Sequence, residues 1–421
     1  MTGTSSAFRA TELATIRHVV LHPCHGMEQH EAPTMRTVLT LFGTRPEVIK
    51  LAPVMHAIAR HPGGLRSVQV SSSQHTDLLH PLARRLNVRI DHDLAVMTAG
   101  QSLTDTLTRV MTGLSGVLAA ERPDMILVQG DTTTALAGAL AGCHARIPVG
   151  HVEAGLRTGD RTSPFPEEIN RRLIAQVADL HFAATRRNVD ALVHEGVARD
   201  GIVLTGNPVV DALHAILADA PPAPALSELL AGIAGRRLIV LTTHRRENFG
   251  AVMHGHLRAL RRFVERHADV TVVFPVHPNP AVVAAAQAEL GDAPRIHRIA
   301  PLDYPDFVHL LSRAWLIVSD SGGIQEEAPT LGKPVIILRD TTERPEVLEC
   351  GIGRLAGHDA ARLEALLEDA HADASLADTA RAVANPFGSG DAGTRIAQAV
   401  HAFLMRTGNA PIAAHPQEHR P

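Results

Sequence analysis

The chain has 421 residues, of which 45% are hydrophobic and 20% charged, and its formal net charge is −4. This length exceeds what one ordinary hydrophobic core serves, so we expect two domains. The composition differs from that of a disordered chain, and the charge provides no strongly basic surface of the kind that nucleic acids require. Nucleic acid is therefore not an expected partner.

Cysteine usage and hydropathy indicate a protein of the reducing cytoplasm. Cys24, Cys143 and Cys350 lie far apart and form no CxxC pair, which argues against a disulfide framework and against a zinc site. No apolar stretch approaches the roughly 20 residues of a membrane span, and the N-terminus lacks the apolar segment of a signal peptide. We expect a cytoplasmic protein without a membrane partner.

Short apolar strands alternate with helical patterns from residue 35 onward, after a segment 1–34 that is expected to be a disordered extension. The alternation predicts an α/β fold of right-handed βαβ units, with two Rossmann-like domains that each hold a parallel sheet. The strands predicted for the first domain are 37–42, 68–70, 125–128, 148–152, 180–182 and 202–204. Those predicted for the second domain are 238–241, 270–273, 296–299, 315–318 and 335–338.

We place the N-terminal domain at 35–206 and a C-terminal, nucleotide-binding domain at 207–385. The last helix follows a loop long enough to bring it back to the first domain, so 386–407 is expected to return there, and 408–421 is expected to be a flexible tail. Ligands of such sheets bind at the carboxyl ends of the strands, which predicts an interdomain cleft as the site.

The most informative motif is the strand at 315–318, which ends at Ser321, Gly322 and Gly323 and continues as a helix. The glycines let backbone N–H groups approach an anion closely, and the helix directs the positive end of its dipole to the same place. Glu327 follows one turn into the helix, where its carboxylate suits ribose hydroxyls rather than phosphates. The motif predicts a site for a nucleoside diphosphate, and an ordinary tight turn is the alternative.

Two strand ends in the first half also carry charged residues. Arg45 and Lys50 follow the first strand and are placed to face an anion, whereas a solvated helix start with an ion pair to Glu47 is the alternative. Asp131 follows the third predicted strand, where a purely structural N-cap is the alternative.

Three acidic positions predict acid/base chemistry. Glu153 ends an apolar strand, where burial penalises an idle charge, so it is expected to be paired or catalytic. Glu167 and Glu168 open a helix and suit its dipole, and we expect one of them to take part in chemistry. Carboxylates in different surroundings provide an acid and a base, which favours Asp131, Glu153 and Glu167 as a catalytic trio. Metal binding by this trio is the competing interpretation.

His244 ends a strand of the second half and is followed by Arg245 and Arg246. These cations can neutralise a diphosphate, and the histidine is placed to assist a leaving nucleotide as an acid or as an electrostatic stabiliser. A structural histidine is the alternative. The segment 339–346, which reads RDTTERPE and holds Arg339 and Arg344, is expected to add another arginine toward the cleft.

Read together, seven ordered motifs resemble the non-hydrolysing UDP-N-acetylglucosamine 2-epimerase family over about residues 35–406. They are FGTRPEVIK, QGDTTTALAGALAG, GHVEAGLRTGD, PFPEEINRR, TTHRRENFG, SDSGGIQEEAPTLGKPV and RDTTERPE. The resemblance implies a GT-B-like fold with a UDP-sugar in the cleft, no redox cofactor, no required metal, and a homodimer. It implies reversible C2 epimerisation of UDP-N-acetylglucosamine to UDP-N-acetylmannosamine, in which UDP is eliminated to leave 2-acetamidoglucal and is then added back.

The resemblance also assigns roles to individual residues. Asp131, Glu153 and Glu167 would perform the acid/base work, without fixing which of them takes the proton, and His244 would assist departure of UDP. The implied substrate-binding residues are Arg45, Lys50, Leu302 through its backbone, Phe307, Ser321, Gly322, Gly323, Glu327 at the ribose, and Arg344.

One segment departs from the family pattern. Relatives usually carry a QHxxMLDQ-like stretch near which some bacterial enzymes bind a second substrate molecule as an activator, whereas residues 74–81 read QHTDLLHP. We therefore expect weaker cooperativity than in strongly activated relatives.

Other functions remain open from the sequence. The motifs report on UDP and on C2 more than on C3 and C6, so a 2-epimerase of another UDP-2-acetamido sugar is the chief alternative. A hydrolysing epimerase, a GT-B glycosyltransferase and a non-catalytic UDP-sugar sensor are the others.

Overall fold

A computed structural model of the chain describes residues 35–73, 76–98, 100–219 and 221–407, with side chains throughout except at residues 76–78. The predicted disordered extension 1–34 and the predicted flexible tail 408–421 lie outside the described residues.

Seven parallel strands form the first sheet. A crossover helix joins each strand to the next along the chain, as parallel pairing requires. The strands are β1 (Arg36–Phe42), β2 (Leu65–Ser71), β3 (His92–Asp93), β4 (Met125–Gln129), β5 (Val149–Ala154), β6 (Leu180–Ala183) and β7 (Ile202–Leu204). Their order in the sheet is β3-β2-β1-β4-β5-β6-β7. The helices of this half are α1 (Arg45–Ala59), α2 (Thr76–Arg85), α3 (Leu103–Glu121), α4 (Thr133–Ala145), α5 (Glu167–Val177), α6 (Arg186–His194) and α7 (Pro208–Asp219).

Six parallel strands form the second sheet. They are β8 (Arg237–Thr242), β9 (Val270–Pro275), β10 (Ile296–Ile299), β11 (Leu316–Ser319), β12 (Val335–Ile337) and β13 (Gly353–Leu355), in the order β10-β9-β8-β11-β12-β13. The helices are α8 (Pro224–Gly232), α9 (Ala251–Arg266), α10 (Pro280–Leu290), α11 (Tyr304–Arg313), α12 (Gly322–Leu331), α13 (Glu346–Glu349), α14 (Ala360–Ala372), α15 (Leu376–Ala382) and α16 (Ala392–Thr407). Among the described helices, none combines the length and apolar character of a membrane span.

Both sheets reverse their strand order at one point, between β1 and β4 in the first and between β8 and β11 in the second. Crevices open at such points, because the crossovers on the two sides run to opposite faces of the sheet. The central strands are apolar and buried, as in β4, all of whose residues are buried. This pattern is typical of parallel sheets covered by helices on both faces. The predicted α/β fold with two Rossmann-like domains is confirmed.

Two edge strands, β3 and β13, were not predicted from the sequence. They contain only two and three residues and pair along one side. Strands this short carry no apolar run, so only the neighbouring strand defines them. The strand predicted at 315–318 lies one residue further along, at β11.

The last helix, α16, follows the second sheet in the chain but packs against α1 beside the first sheet. The carboxylate of Asp211 in α7 accepts hydrogen bonds from the backbone N–H groups of Ala392 (3.2 Å) and Gly393 (2.9 Å) at its start. Ile396 and Val400 are fully buried in the same hydrophobic cluster as α1. Apolar burial and one capping carboxylate therefore hold this helix in place.

Replacing Ile396 by alanine should lower the free energy of unfolding by about 2–5 kcal/mol, because it leaves a cavity under α16. Thermal unfolding should show the loss. Met405 on the same helix is 43% exposed, so Met405→Ala is the matched control and should change stability little. Equal effects of the two substitutions would contradict this account of the docking.

Candidate active site

A cleft of about 750 Å³ lies where the carboxyl ends of both sheets face each other. Its walls come from the loops that follow β1, β4, β5, β8, β9 and β11 and from the segment around α11. Eleven of the thirteen predicted site residues line it: Arg45, Lys50, Asp131, Glu153, His244, Leu302, Phe307, Ser321, Gly323, Glu327 and Arg344. The sequence motifs are thus brought together from positions up to about 300 residues apart.

Gly322 is one of the two predicted residues that do not line the cleft. A Cβ atom built there would be 2.9 Å from Nη1 of Arg344. The Arg344 guanidinium therefore packs closely against the start of α12, and a larger residue at position 322 would require it to shift.

Glu167 is the other predicted residue that does not line the cleft. It is the first residue of α5, and its buried Oε2 atom has no hydrogen-bond partner in the part of the chain that the structure describes. The same helix reaches the site through Arg171, whose Nη2 is 2.6 Å from Oδ2 of Asp131. Glu168, the residue after Glu167, is fully buried and pairs with Arg171 and Arg172. Its carboxylate therefore stabilises the start of α5.

A series of buried side chains with alternating positive and negative charges crosses the cleft. The Lys50 ammonium lies between Glu153, which it contacts directly, and Glu326, whose Oε2 is 2.8 Å away. Glu326 in turn accepts from Nε of Arg344, and Nη1 of Arg344 is 2.8 Å from Glu343. All five side chains are at most 10% exposed.

These contacts favour the charged forms of Glu326 and Lys50. Burial opposes each charge, but Arg344 and Lys50 outweigh it at Glu326, whose pKa falls to about 2. Likewise Glu153 and Glu326 outweigh burial at Lys50 and raise its pKa. Lys50 was predicted to face an anion, and in this structure the anions are two carboxylates.

Among the three carboxylates of this series of paired charges, Glu153 is the one whose pKa is raised. Burial raises its pKa and the charge of Glu326 adds to that effect, whereas Lys50 opposes it. Its side chain also accepts hydrogen bonds from the amides of Gln129 and Asn207, the latter at 3.2 Å. A buried carboxylate with a raised pKa holds a proton more readily than an exposed one, which suits a group that exchanges protons.

The backbone directs this carboxylate into the cleft. Glu153 has φ +63°, and the pairing of β5 with β6 shifts register between Val152 and Ala154. Such a bulge turns a side chain that regular alternation would point elsewhere. A non-glycine residue in the left-handed region costs about 1 kcal/mol or more, which is typical of functional positions.

Glu47 has a structural role that differs from the alternative prediction of an ion pair. It is buried, and it accepts from the backbone N–H groups of Gly43 (3.0 Å) and Thr44 (2.7 Å) and from Oγ1 of Thr132 (2.7 Å). It thereby fastens the loop after β1 to the loop after β4. Because Lys50 is buried and pairs with other carboxylates, the alternative interpretation of a solvated helix start with an ion pair to Glu47 is wrong.

Asp320, which the sequence analysis overlooked, holds the loop that carries His244. Its carboxylate is fully buried and accepts from Oγ1 of Thr243 (2.8 Å), from N of His244 (2.9 Å) and from N of Arg245 (3.0 Å). Nδ1 of His244 lies 3.4 Å from Oδ1 of Asp320. A second imidazole, that of His277, stacks on His244 with ring centroids 5.6 Å apart. Asp320 and His277 thus hold His244 in position.

The other predicted arginines do not line the described cleft. Arg339 is buried and pairs with Glu343 at 2.7 Å, and Arg245 lies 3.9 Å from both Glu247 and Glu343. The expectation that Arg245 and Arg246 face a ligand is therefore not met in this structure, whereas Arg344 provides the arginine expected from the segment 339–346. Arg45 and Arg344 are the arginines of the cleft wall.

Glu327 presents an unused acceptor. Its Oε1 accepts from the hydroxyl of Tyr304 at 2.9 Å, whereas its buried Oε2 has no partner among the described residues. Burial raises its pKa to about 7, and the charge of Glu326 adds to this while the Tyr304 hydrogen bond opposes it. An unsatisfied buried acceptor is costly, so a ligand hydroxyl donating to Oε2 would be favoured.

One group in the described part of the chain has metal-ligand spacing, and it lies outside the cleft. His267, Asp269 and His371 have donor atoms within 4.8 Å of one another. Nε of Arg237 is 3.4 Å from Asp269 and Nε2 of His371 is 3.2 Å from it. The carboxylate is therefore already balanced by neighbouring side chains.

Sequence reasoning missed Glu326, Asp320 and Tyr304. Glu326 and Asp320 stand inside the quoted SDSGGIQEE motif, where acidic residues beside a buried strand were a usable signal. Tyr304 carries no such signal, because only the packing of α11 against α12 brings its hydroxyl to Glu327.

The fold and the site define a class: GT-B-like α/β enzymes whose interdomain cleft suits a sugar nucleotide. The profile described as UDP-N-acetylglucosamine 2-epimerase matches residues 56–401. A UDP-N-acetylglucosamine 2-epimerase of Escherichia coli K12 is 44% identical over 368 residues, which are 86% of this chain and 98% of the relative. The chain belongs to the UDP-N-acetylglucosamine 2-epimerase family.

Two solved structures are similar throughout their length. The Staphylococcus aureus MnaA–UDP co-structure has a TM-score of 0.82 at 38% identity, covering 90% of this chain and 99% of that one. The Neisseria meningitidis UDP-GlcNAc 2-epimerase bound to UDP-GlcNAc has a TM-score of 0.80 at 36% identity, covering 88% and 100%.

Glu327 should make stability depend on pH. Its folded pKa of about 7 exceeds the ordinary value of 4.5, so its stabilising contribution is complete below about pH 4.5 and is lost as pH rises through about 7. Glu327→Gln should therefore be more stable than the parent by about 1 kcal/mol or more at about pH 8, with no such advantage at about pH 5. Thermal unfolding at both pH values tests this, with the exposed Glu228→Gln as control. A gain that is equal at both pH values would argue against the assignment.

Proposed function

We propose that this chain is a non-hydrolysing UDP-N-acetylglucosamine 2-epimerase that interconverts UDP-N-acetylglucosamine and UDP-N-acetylmannosamine. The observation that carries the proposal is the pair Asp131 and Glu153, which line one cleft in different electrostatic surroundings. Asp131 is paired with Arg171, whereas Glu153 is buried with a raised pKa. Two such carboxylates can serve as base and acid at a single carbon.

The second half of the cleft suits UDP. The free Oε2 of Glu327 would accept a ribose hydroxyl, and Leu302 and Phe307 lie on the same wall, where the uracil would bind. Ser321 and Gly323 present the start of α12, whose positive dipole end favours the diphosphate. Arg45 and Arg344 on the cleft wall would add positive charge.

Elimination of UDP makes removal of the C2 proton feasible. A carboxylate removes the proton from C2, the C–H electron pair becomes the C1=C2 double bond, and the C1–O pair leaves with the β-phosphate oxygen as UDP. The intermediate is 2-acetamidoglucal. A proton is then delivered to the opposite face of C2 while the UDP oxygen re-forms the bond to C1. The overall change is inversion at C2, with no net oxidation.

His244 and Glu167 complete the proposed machinery. His244 lies on the wall opposite the two carboxylates, where its imidazole would stabilise charge on the departing phosphate. Glu167 does not line the cleft of this structure, but its Oε2 has no hydrogen-bond partner among the described residues and would be available for a third acid/base role.

Incubation with UDP-N-acetylglucosamine in D₂O, with no added metal or NAD, tests the proposal. NMR of the sugar H1 and H2 signals should reveal UDP-N-acetylmannosamine with deuterium at C2. Free N-acetylmannosamine would instead indicate a hydrolysing enzyme. Binding without exchange would indicate a sensor or a different UDP-2-acetamido sugar as substrate, which a panel of such sugars separates.

Removal of either carboxylate should abolish proton exchange rather than binding. Asp131→Asn and Glu153→Gln should each lower turnover by about a hundredfold or more, in the range for displaced acid/base groups. UDP affinity, measured by calorimetry, should change far less. Glu265→Gln, an exposed carboxylate on α9, is the control. Near-normal turnover in both variants would refute the assignment of these residues.

Substrate activation should be weak. The segment 74–81 departs from the pattern of the family, and residues 74 and 75 and the side chains of 76–78 lie outside the described residues. Initial rates against substrate concentration should therefore be close to hyperbolic, and a steeply sigmoidal curve would contradict this.

We propose a homodimer as the working form, as the family resemblance implies, and a cytoplasmic location, as the cysteine usage indicates. Light scattering on purified protein should give twice the chain mass of 45.0 kDa, and a monomeric mass would refute the homodimer.

A further inference from the structure

We propose that Glu326 is a positioning residue for the reaction: it draws Lys50 across the cleft and thereby sets how readily Glu153 holds a proton. This inference rests on the proposed function, because Glu153 must exchange a proton for its surroundings to affect turnover. Neither the motifs nor the relatives' names assign a role to Glu326.

The geometry makes Glu326 the link between the two halves of the site. It is 2% exposed, on α12 beside the second sheet, whereas Lys50 on α1 and Glu153 on β5 belong to the first. Lys50 contacts both carboxylates, and Glu326 also accepts from Nε of Arg344. One ammonium is thus shared between a carboxylate of each domain.

Sharing weakens the hold of Lys50 on Glu153. A cation that paired only with Glu153 would favour its ionised form strongly, whereas a second carboxylate on the same ammonium offsets that attraction. The charged groups that bear on Glu153 are Lys50 from α1, Glu326 from α12 and Arg344 from the loop before α13. The amides of Gln129 and Asn207 contact it without a charge.

The test measures the titration of Glu153 directly. Infrared spectra follow the carbonyl stretch of protonated carboxyl groups as pH changes, and the difference from Glu153→Gln identifies the Glu153 band. In Glu326→Gln, Lys50 has only Glu153 to pair with, so the midpoint of this band should fall by about one pH unit or more. In the kcat–pH profile, the midpoint that reports on Glu153 should move to lower pH by a similar amount. KM should change less than kcat.

Glu343→Gln is the matched control, because Glu343 contacts the same Arg344 but makes no described contact with Lys50. Its Glu153 midpoint should move much less. If Glu326→Gln fails to fold, Glu326→Asp carries the test, since a shorter carboxylate should give a smaller downward shift. An unchanged midpoint in a folded Glu326 variant, or an equal shift in Glu343→Gln, would overturn the proposal.

The two readouts separate this inference from the proposed function. If Glu326→Gln shifts the infrared midpoint of Glu153 but the parent protein shows no epimerisation, the electrostatic coupling would be supported and the proposed activity refuted. Lower kcat with both midpoints unmoved would leave Glu326 a merely structural residue and overturn the inference.

Discussion

The shared ammonium of Lys50 is the interaction on which the rest of the site depends. Five buried charged side chains, running from Glu153 through Lys50, Glu326 and Arg344 to Glu343, balance one another only as a complete series. Each would be expensive to bury alone, so the series favours the arrangement in which both domains face each other closely. The cleft is thereby both a binding site and an electrostatic contact between domains.

The acidic side chains of the cleft lie in different surroundings. Arg171 pairs with Asp131, whereas Glu153 is placed by a bulge in β5 and shares its cation with Glu326. Under the proposed function, such differences would let one cleft provide both an acid and a base. The register shift of β5 accompanies the positive φ of Glu153, a conformation that is costly for a residue other than glycine.

Support for the reactive groups comes from residues that need not contact a ligand. Asp320 fixes the loop of His244 from below, Glu47 fastens two loops of the first sheet, and Tyr304 holds Glu327 with one oxygen left free. Under the proposed function, the second domain would bind the nucleotide and the first would perform the proton transfers. A division of this kind follows from the fold, because each sheet brings its own strand ends to one side of the cleft.

The sequence alone determined the α/β class, eleven of the strands and eleven of the residues that line the cleft, because alternating apolar runs and strand-end motifs are local patterns. It did not reveal β3, β13 or the Tyr304–Glu327 contact, and it placed Arg245 at the ligand although that side chain does not line the cleft. Those features depend on partners distant in the chain. Tertiary structure alone decided that Lys50 lies between Glu153 and Glu326, since charge pairing is set by distance and burial in three dimensions rather than by neighbours in sequence.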